Sequence, residues 1–294
     1  FTTGMAAITM LMELFAPGDH LIVDEDLYGG SIRLFSHVSS KNGLTFSSVP
    51  CHAVNVEDYI QPNTKAIYIE TPTNPMMNVT DIAALAQVAK KHDILLIVDN
   101  TFLSPYFQNP LDLGADIVIH SGTKFLGGHN DTLAGFLCTP IKALAEQIRY
   151  LFKTIGSGLS PFDSFLVLRG IKTLSVRVER QQENAMKIAS WLKEQKKVTD
   201  VYYVGLPEHP GYEINKSQTR GAGSMISFYV DSPETAKRVL EKVKLISYAE
   251  SLGGVESLIT YPMLQTHGDV PPEVREGSRI ASCVFLLALK MQMT

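Results

Sequence analysis

Cysteine is scarce in this 294-residue chain: Cys51, Cys138 and Cys283 lie far apart and form no Cys-x-x-Cys pair. That weighs against a disulfide framework or a cysteine zinc site, and it suits free thiols in a reducing cytoplasm. The histidines, among them His120, His129 and His267, show no His-Glu-x-x-His spacing, so structural roles are expected for them and no metal. No apolar run approaches the ~20 residues needed to cross a bilayer, so no membrane partner is expected. Positive charge is not in excess either: 26 Lys and Arg face 30 Asp and Glu, which argues against a nucleic-acid partner. Repeats and low-complexity tracts are missing. So is a Gly-x-Gly-x-x-Gly turn after the first strand, which counts against a nucleotide-binding dehydrogenase sheet. There is no initiator Met and no targeting pattern; opening on Phe1-Thr2-Thr3-Gly4-Met5, the chain reads as one entered partway through.

What is present is an ordinary globular composition, 45% hydrophobic and 19% charged, long enough for one large domain or two smaller ones. Short apolar runs predict strands at His20–Asp24, Leu44–Val49, Ala66–Glu70, Ile94–Asp99, Asp116–His120 and Leu133–Cys138. Runs such as Ile94-Leu95-Leu96-Ile97-Val98 do not alternate, as expected for strands covered on both faces in a parallel sheet. Helical patterns fall between them. Over Asp81–Lys91, Thr80 is placed to cap, and Ile82, Leu85, Ala86 and Ala89 share a face. Strand–helix alternation predicts an α/β fold with a largely parallel sheet. Ser160-Pro161-Phe162-Asp163 reads as a helix start, with a pattern running to about Gln195 as one helix or two. Strands at Val198–Val204, Ser224–Val230 and Ile246–Ser251 and a helix from Pro233 to about Lys242 then predict a smaller α+β domain. The division is drawn at 1–176 and 177–294.

Ligands of open α/β sheets bind beyond the carboxyl ends of the strands. Here Asp24 leads to Tyr28-Gly29-Gly30 and Glu70 to Thr71-Pro72-Thr73-Asn74-Pro75. The later strands end in Asp99-Asn100-Thr101 and His120-Ser121-Gly122-Thr123-Lys124. One sheet edge thus collects an aromatic, an amide, a carboxylate, hydroxyls and an amine. These are the groups that a phosphorylated pyridine aldehyde requires: an amine to bond its carbonyl and a carboxylate for the ring nitrogen. Helix-start amides and hydroxyls suit its phosphate, and a ring can cover its face.

Ser121–Lys124, Val98–Phe102, Glu70–Pro75, Tyr28–Gly30, Ser160–Asp163 and Glu250-Ser251-Leu252-Gly253-Gly254-Val255-Glu256-Ser257, in this order, resemble the Cys/Met-metabolism family of pyridoxal 5'-phosphate (PLP) enzymes. The resemblance runs from Phe1 to about Glu276. It implies a fold type I, aspartate-aminotransferase-like large domain, a cytoplasmic homo-oligomer (a dimer of dimers), and PLP as cofactor. It makes Lys124 the lysine that carries PLP and Asp99 the partner of the ring nitrogen. Gly4 and Met5 would give backbone amides to the phosphate, and Ser121 and Thr123 hydroxyls. Tyr28 would stack on the ring and assist proton transfer, with Asn74 beside the pyridine hydroxyl and Thr101 near the ring. Ser251 and Glu250 would meet the substrate. An amine acting as base must be deprotonated, so positively charged, PLP-occupied surroundings that lower the Lys124 pKa are expected.

Two positions narrow the activity. Methionine γ-lyases carry a cysteine where this chain has Gly30. Glu250 matches the glutamate of γ-synthases and γ-lyases, whose charge can attract the distant ammonium of cysteine or cystathionine. Cystathionine γ-synthase, replacing the acyl group of an O-acylhomoserine with cysteine or sulfide, is therefore the first expectation, with cystathionine γ- or β-lyase second. Another class of reading is a catalytically silent fragment that folds or oligomerises. Two departures from the family pattern stand out. A Tyr and an Arg that reach a neighbour's phosphate from an N-terminal segment have no counterpart here. In ungapped register from Ser251, the arginine that forks onto the substrate carboxylate is replaced by Leu286, with Arg275 and Arg279 nearby in sequence.

Overall fold

The computed structural model describes residues 1–262 and the backbone of one further strand, 283–287. Arg275, Arg279 and His267 lie outside the described residues, as do the side chains of Cys283 and Leu286.

Six strands form the first sheet: β1 (His20–Asp24), β2 (Thr45–Val49), β3 (Thr64–Glu70), β4 (Leu95–Asp99), β5 (Ile117–Ser121) and β6 (Gly135–Cys138). Their order is β2-β1-β3-β4-β5-β6. β1 through β5 pair in parallel, and β6 closes the edge antiparallel to β5. The non-alternating runs have a simple origin. Leu21, Val23, Ala66, Tyr68, Ile97, Ile117 and Ile119 pack on one face with Ile8 and Leu11 of the helix Gly4–Met12. Ile22, Ile67, Ile69, Leu96, Val98 and Val118 pack on the other with Ile82 and Leu85 of the helix Ile82–Lys91. Successive strand residues point to opposite faces. Both faces are covered, so both alternating sets must be apolar, and each buried Leu or Ile contributes about 1.5–3 kcal/mol.

The second sheet contains β7 (Val198–Tyr202), β8 (Ile226–Val230), β9 (Ser247–Tyr248), β10 (Leu258–Thr260) and β11 (Cys283–Leu287), in the order β7-β8-β11-β10-β9. Only β9 and β10 are parallel; the other neighbours are antiparallel. Ile226, Phe228 and Val230 pack on Ala185, Ala189 and Leu192 of the helix Leu174–Lys193, which joins the two sheets. Residue 176, where the sequence division was drawn, falls in the first turn of that helix. Cys51 and Cys138 are free thiols. Among the described residues, no helix is long and apolar enough to cross a membrane.

Several expectations are corrected. The helix Ile82–Lys91 is capped by Asp81, whose carboxylate accepts from the Ala84 amide at 2.9 Å; the Thr80 hydroxyl makes no such bond. Ser160 does cap its helix, accepting from the Asp163 amide at 3.0 Å. The pattern beyond it breaks into two helices, Pro161–Ile171 and Leu174–Lys193. The strand expected over Ile246–Ser251 shrinks to Ser247–Tyr248, because the chain turns at Ser251, where φ is +99°.

Candidate active site

A cavity of about 440 Å³ opens at the carboxyl ends of β3, β4 and β5. All of the residues singled out from the sequence line it. Gly4 and Met5 come from the start of one helix, Tyr28 and Asn74 from the loops after β1 and β3. Asp99, Thr101, Ser121, Thr123 and Lys124 come from the ends of β4 and β5. Glu250 and Ser251 reach the same cavity from the loop after β9. Thr260 of β10 also lines it.

Strand register fixes much of this arrangement. Asp99 is the direct partner of Glu70 on β3 and of Ile119 on β5, so the two carboxyls sit side by side in the sheet. Both are buried. Asp99 accepts from the Thr101 amide at 3.0 Å and from the Thr101 hydroxyl at 2.6 Å. The same Thr101 oxygen accepts from the Ser121 amide at 2.9 Å, which ties the ends of β4 and β5 together. Burial raises the Asp99 carboxyl to about 6, with the Thr101 bonds pulling it back. Glu70 is raised further, by burial first and then by the Asp99 charge.

Lys124 follows β5 in a turn closed by the bonds from the Gly127 amide to the Gly122 carbonyl and from the Gly128 amide to its own carbonyl, both 2.8 Å. Its amine donates to the Ser251 hydroxyl at 3.2 Å. Burial lowers its pKa to about 8, while the Glu250 carboxylate opposes the shift. In the cofactor-free chain the shift thus comes from desolvation. Glu250 itself is exposed at the mouth. The Thr123 hydroxyl is engaged by Ala134, accepting from its amide at 3.1 Å and donating to its carbonyl at 3.3 Å.

Sequence reasoning quoted Glu70 only as part of a motif and gave Asp26 no role. The structure ties both to the loops that carry Tyr28 and Asn74. Glu70 accepts from the Tyr28 amide at 3.0 Å, holding the ring at the rim, where Tyr28 is 39% exposed. Asp26 accepts from the Thr73 hydroxyl, from the Met76 amide at 3.1 Å and from the Asn78 side chain at 3.4 Å. For Glu70 the signal available in the sequence was position, a strand-end acid beside another strand-end acid, Asp99; Asp26, in the loop after β1, carried no such signal.

The donor set fits PLP. At the first turn of Gly4–Met12, Thr3 accepts from the Ala6 amide at 2.9 Å, and Gly4 and Met5 line the cavity where helix-start amides lack intrahelical acceptors. Gly4 is needed there, since a Cβ would stand 2.9 Å from the Ser121 Cβ. An amine, a buried carboxyl, an aromatic rim and a phosphate-sized cradle thus surround one space.

The model of the Cys/Met metabolism PLP-dependent enzymes matches residues 1–287. The chain belongs to that family. It is 48% identical over 295 residues to a cystathionine beta-lyase of Lactococcus lactis subsp. cremoris, a match covering 99% of this chain and 77% of the relative. It is 48% identical over 287 residues to a cystathionine gamma-synthase/O-acetylhomoserine (thiol)-lyase of Bacillus subtilis, covering 96% of this chain and 72% of the relative. The solved cystathionine gamma-lyase of Lactobacillus plantarum, complexed with L-serine, superposes with a TM-score of 0.95 at 46% identity, covering 99% of this chain and 77% of that one. The fold is therefore that of the type I PLP enzymes, and the chain is a PLP-dependent enzyme of trans-sulfuration.

Proposed function

We propose that this enzyme works on cystathionine chemistry at Cγ, joining cysteine to an O-acylhomoserine as a cystathionine γ-synthase. The observation that carries the proposal is a single cavity in which Lys124, Asp99 and Ser251 stand behind a mouth charged by Glu250. In this reading Lys124 would hold the cofactor through its carbonyl carbon, and Asp99 would face the ring nitrogen. Tyr28 covers the ring face, with Asn74 and Thr101 at its edge. The amides of Gly4 and Met5 and the hydroxyls of Ser121 and Thr123 would hold the phosphate. When bound, PLP supplies a protonated ring that accepts the electron pair left at the substrate Cα.

The chain's own residues do the rest. The Lys124 amine would be the group that takes the Cα proton and returns it; in the cofactor-free chain burial already lowers its pKa to about 8. Ser251 orients that amine within hydrogen-bond reach. Glu250 draws the distal ammonium of cysteine or cystathionine to the mouth. Small amino acids are the partners proposed, within a cytoplasmic homo-oligomer.

A second reading, cystathionine γ- or β-lyase, is favoured by the names of two of the relatives above. Product analysis separates the readings. The PLP-loaded enzyme is given O-acetylhomoserine or O-succinylhomoserine with cysteine, and separately cystathionine alone. Cystathionine formation in the first mixture supports the synthase. From cystathionine, release of cysteine with 2-oxobutanoate marks γ-cleavage, and homocysteine with pyruvate marks β-cleavage. If no cystathionine forms and it is only consumed, the synthase proposal fails.

A further inference from the structure

We infer that Arg177 and Gln181 are positioning residues: one face of the inter-sheet helix sets the gap between the loop carrying Lys124 and the loop carrying Ser251. The inference rests on the roles proposed above for those two residues. Arg177 and Gln181 are one turn apart on the helix Leu174–Lys193 and are 2% and 1% exposed. The Arg177 Nη2 donates to the carbonyl of Phe125, the residue after Lys124, at 3.0 Å, and to the Gly170 carbonyl at 2.9 Å. Its Nε donates to the Thr173 hydroxyl at 3.0 Å. One turn on, the Gln181 amide donates to the Gly254 carbonyl, in the loop that carries Ser251, at 2.8 Å.

The two loops also touch each other. Gly253, at φ +81°, lies so close that a Cβ would stand 2.4 Å from the Phe125 amide nitrogen and 2.6 Å from the Lys124 carbonyl carbon. Gly128, at φ +74°, leaves room for the guanidinium; a Cβ there would fall 2.1 Å from the Arg177 Nη1. These described bonds of Arg177 go to carbonyls and a hydroxyl, none to a carboxylate. A buried cation with no counter-charge among the described residues is a costly way merely to fill space. A planar fork that can hold several carbonyls at once gives it a purpose here. Because both grips come from one rigid face, the 3.2 Å separation of the Lys124 amine and the Ser251 hydroxyl becomes a property of the helix.

The test uses Gln181→Met, which keeps length and apolar bulk but removes the donor. Gly253→Ala pushes the loops apart without touching the helix, and Glu183→Gln, exposed on the same helix, is the control. In cofactor-free protein, Lys124 is acylated with an amine-reactive ester across a pH series and followed by peptide mass. The wild-type midpoint is expected near 8. Gln181→Met and Gly253→Ala should both raise it by about one unit as water enters the gap. With PLP bound, kcat of Gln181→Met should fall about 10- to 100-fold, the scale of a small misplacement of reacting groups, with thermal stability nearly unchanged. A wild-type midpoint in Gln181→Met overturns the inference, whether or not Gly253→Ala shifts. Activity lost only in proportion to folded protein overturns it as well. Should the wild type fail to gain visible absorbance with PLP, the reading of Lys124 fails instead, and the midpoints still report on the helix.

Discussion

Carboxyl groups at the edge of the first sheet and those around the second live under opposite physical regimes. Burial raises Asp24 to about 8, Asp26 and Asp99 to about 6, and Glu70 well above the usual carboxylate range. Around the second sheet the carboxyls are held low instead: Glu208 by the Lys193 ammonium beside it and Asp231 by Thr235, with Lys197 adding to it. Glu250 stands exposed at the mouth. Chemistry that needs tuned protons is built where strand register forces acids together out of water. In the proposed function, recognition of substrate falls to a solvated loop instead.

On that division, substitutions at cavity-lining residues of the first edge should strike the chemical step, and those at the mouth should shift affinity. Lys124→Ala should show the largest effect, lowering kcat/KM by about 10³-fold or more. The PLP-dependent visible absorbance should vanish while the protein stays folded. Colour and turnover retained together would break the comparison at its centre. Asp99→Ala comes next: removing one partner of a buried charge pair costs about 2–5 kcal/mol, or roughly 30- to several thousand-fold in kcat/KM. Steady-state kinetics at saturating PLP separate that loss from simple loss of cofactor.

How far the sequence exposed this arrangement follows the same divide. Runs such as Ile94–Val98 announced strands buried on both faces, and once those strands were placed, Asp99, Ser121 and Lys124 had to emerge at one edge. The grips made at a distance were not legible. Nothing local to Glu70 says that it accepts from the Tyr28 amide, and nothing near Gln181 points to Gly254. The helix break after Ile171 was ambiguous for a related reason. Gly170 reads as a weak helix residue, yet it is required because a Cβ there would stand 2.1 Å from the Gly127 carbonyl oxygen. Asp81 and Thr80 are both good caps by composition; the Thr80 amide is already bonded to the Thr71 hydroxyl at 3.0 Å, and Asp81 is the one that caps. For Leu286 the register is informative by itself: it pairs with Ile259, whereas Phe285 pairs with Thr260, the β10 residue that lines the cavity.

A smaller effect is expected at the mouth. Glu250→Gln should raise KM for cysteine or cystathionine about 3- to 10-fold and leave kcat nearly unchanged, as befits an exposed charge worth about 1 kcal/mol. The difference from wild type should shrink as salt rises to about 1 M, where the screening length falls to about 3 Å. A loss in kcat that persists at high salt would place Glu250 in the chemistry and erase the contrast between the regions.

Asp24→Asn is the mildest test and reads stability alone. Asp24 ends β1, is 1% exposed, and has one carboxyl oxygen without a hydrogen-bond partner among the described residues. Its folded-state pKa is raised to about 8. The unfolded chain releases this proton near pH 4. Between those values the folded protein holds the extra proton, so stability falls as pH rises from about 4 to about 8. Asparagine removes that slope. Relative to wild type, the variant should gain on the order of 4 kcal/mol in urea melts between pH 5 and pH 9. An advantage of equal size at both pH values would mean that Asp24 stays ionised in the fold, and that burial does not set its titration.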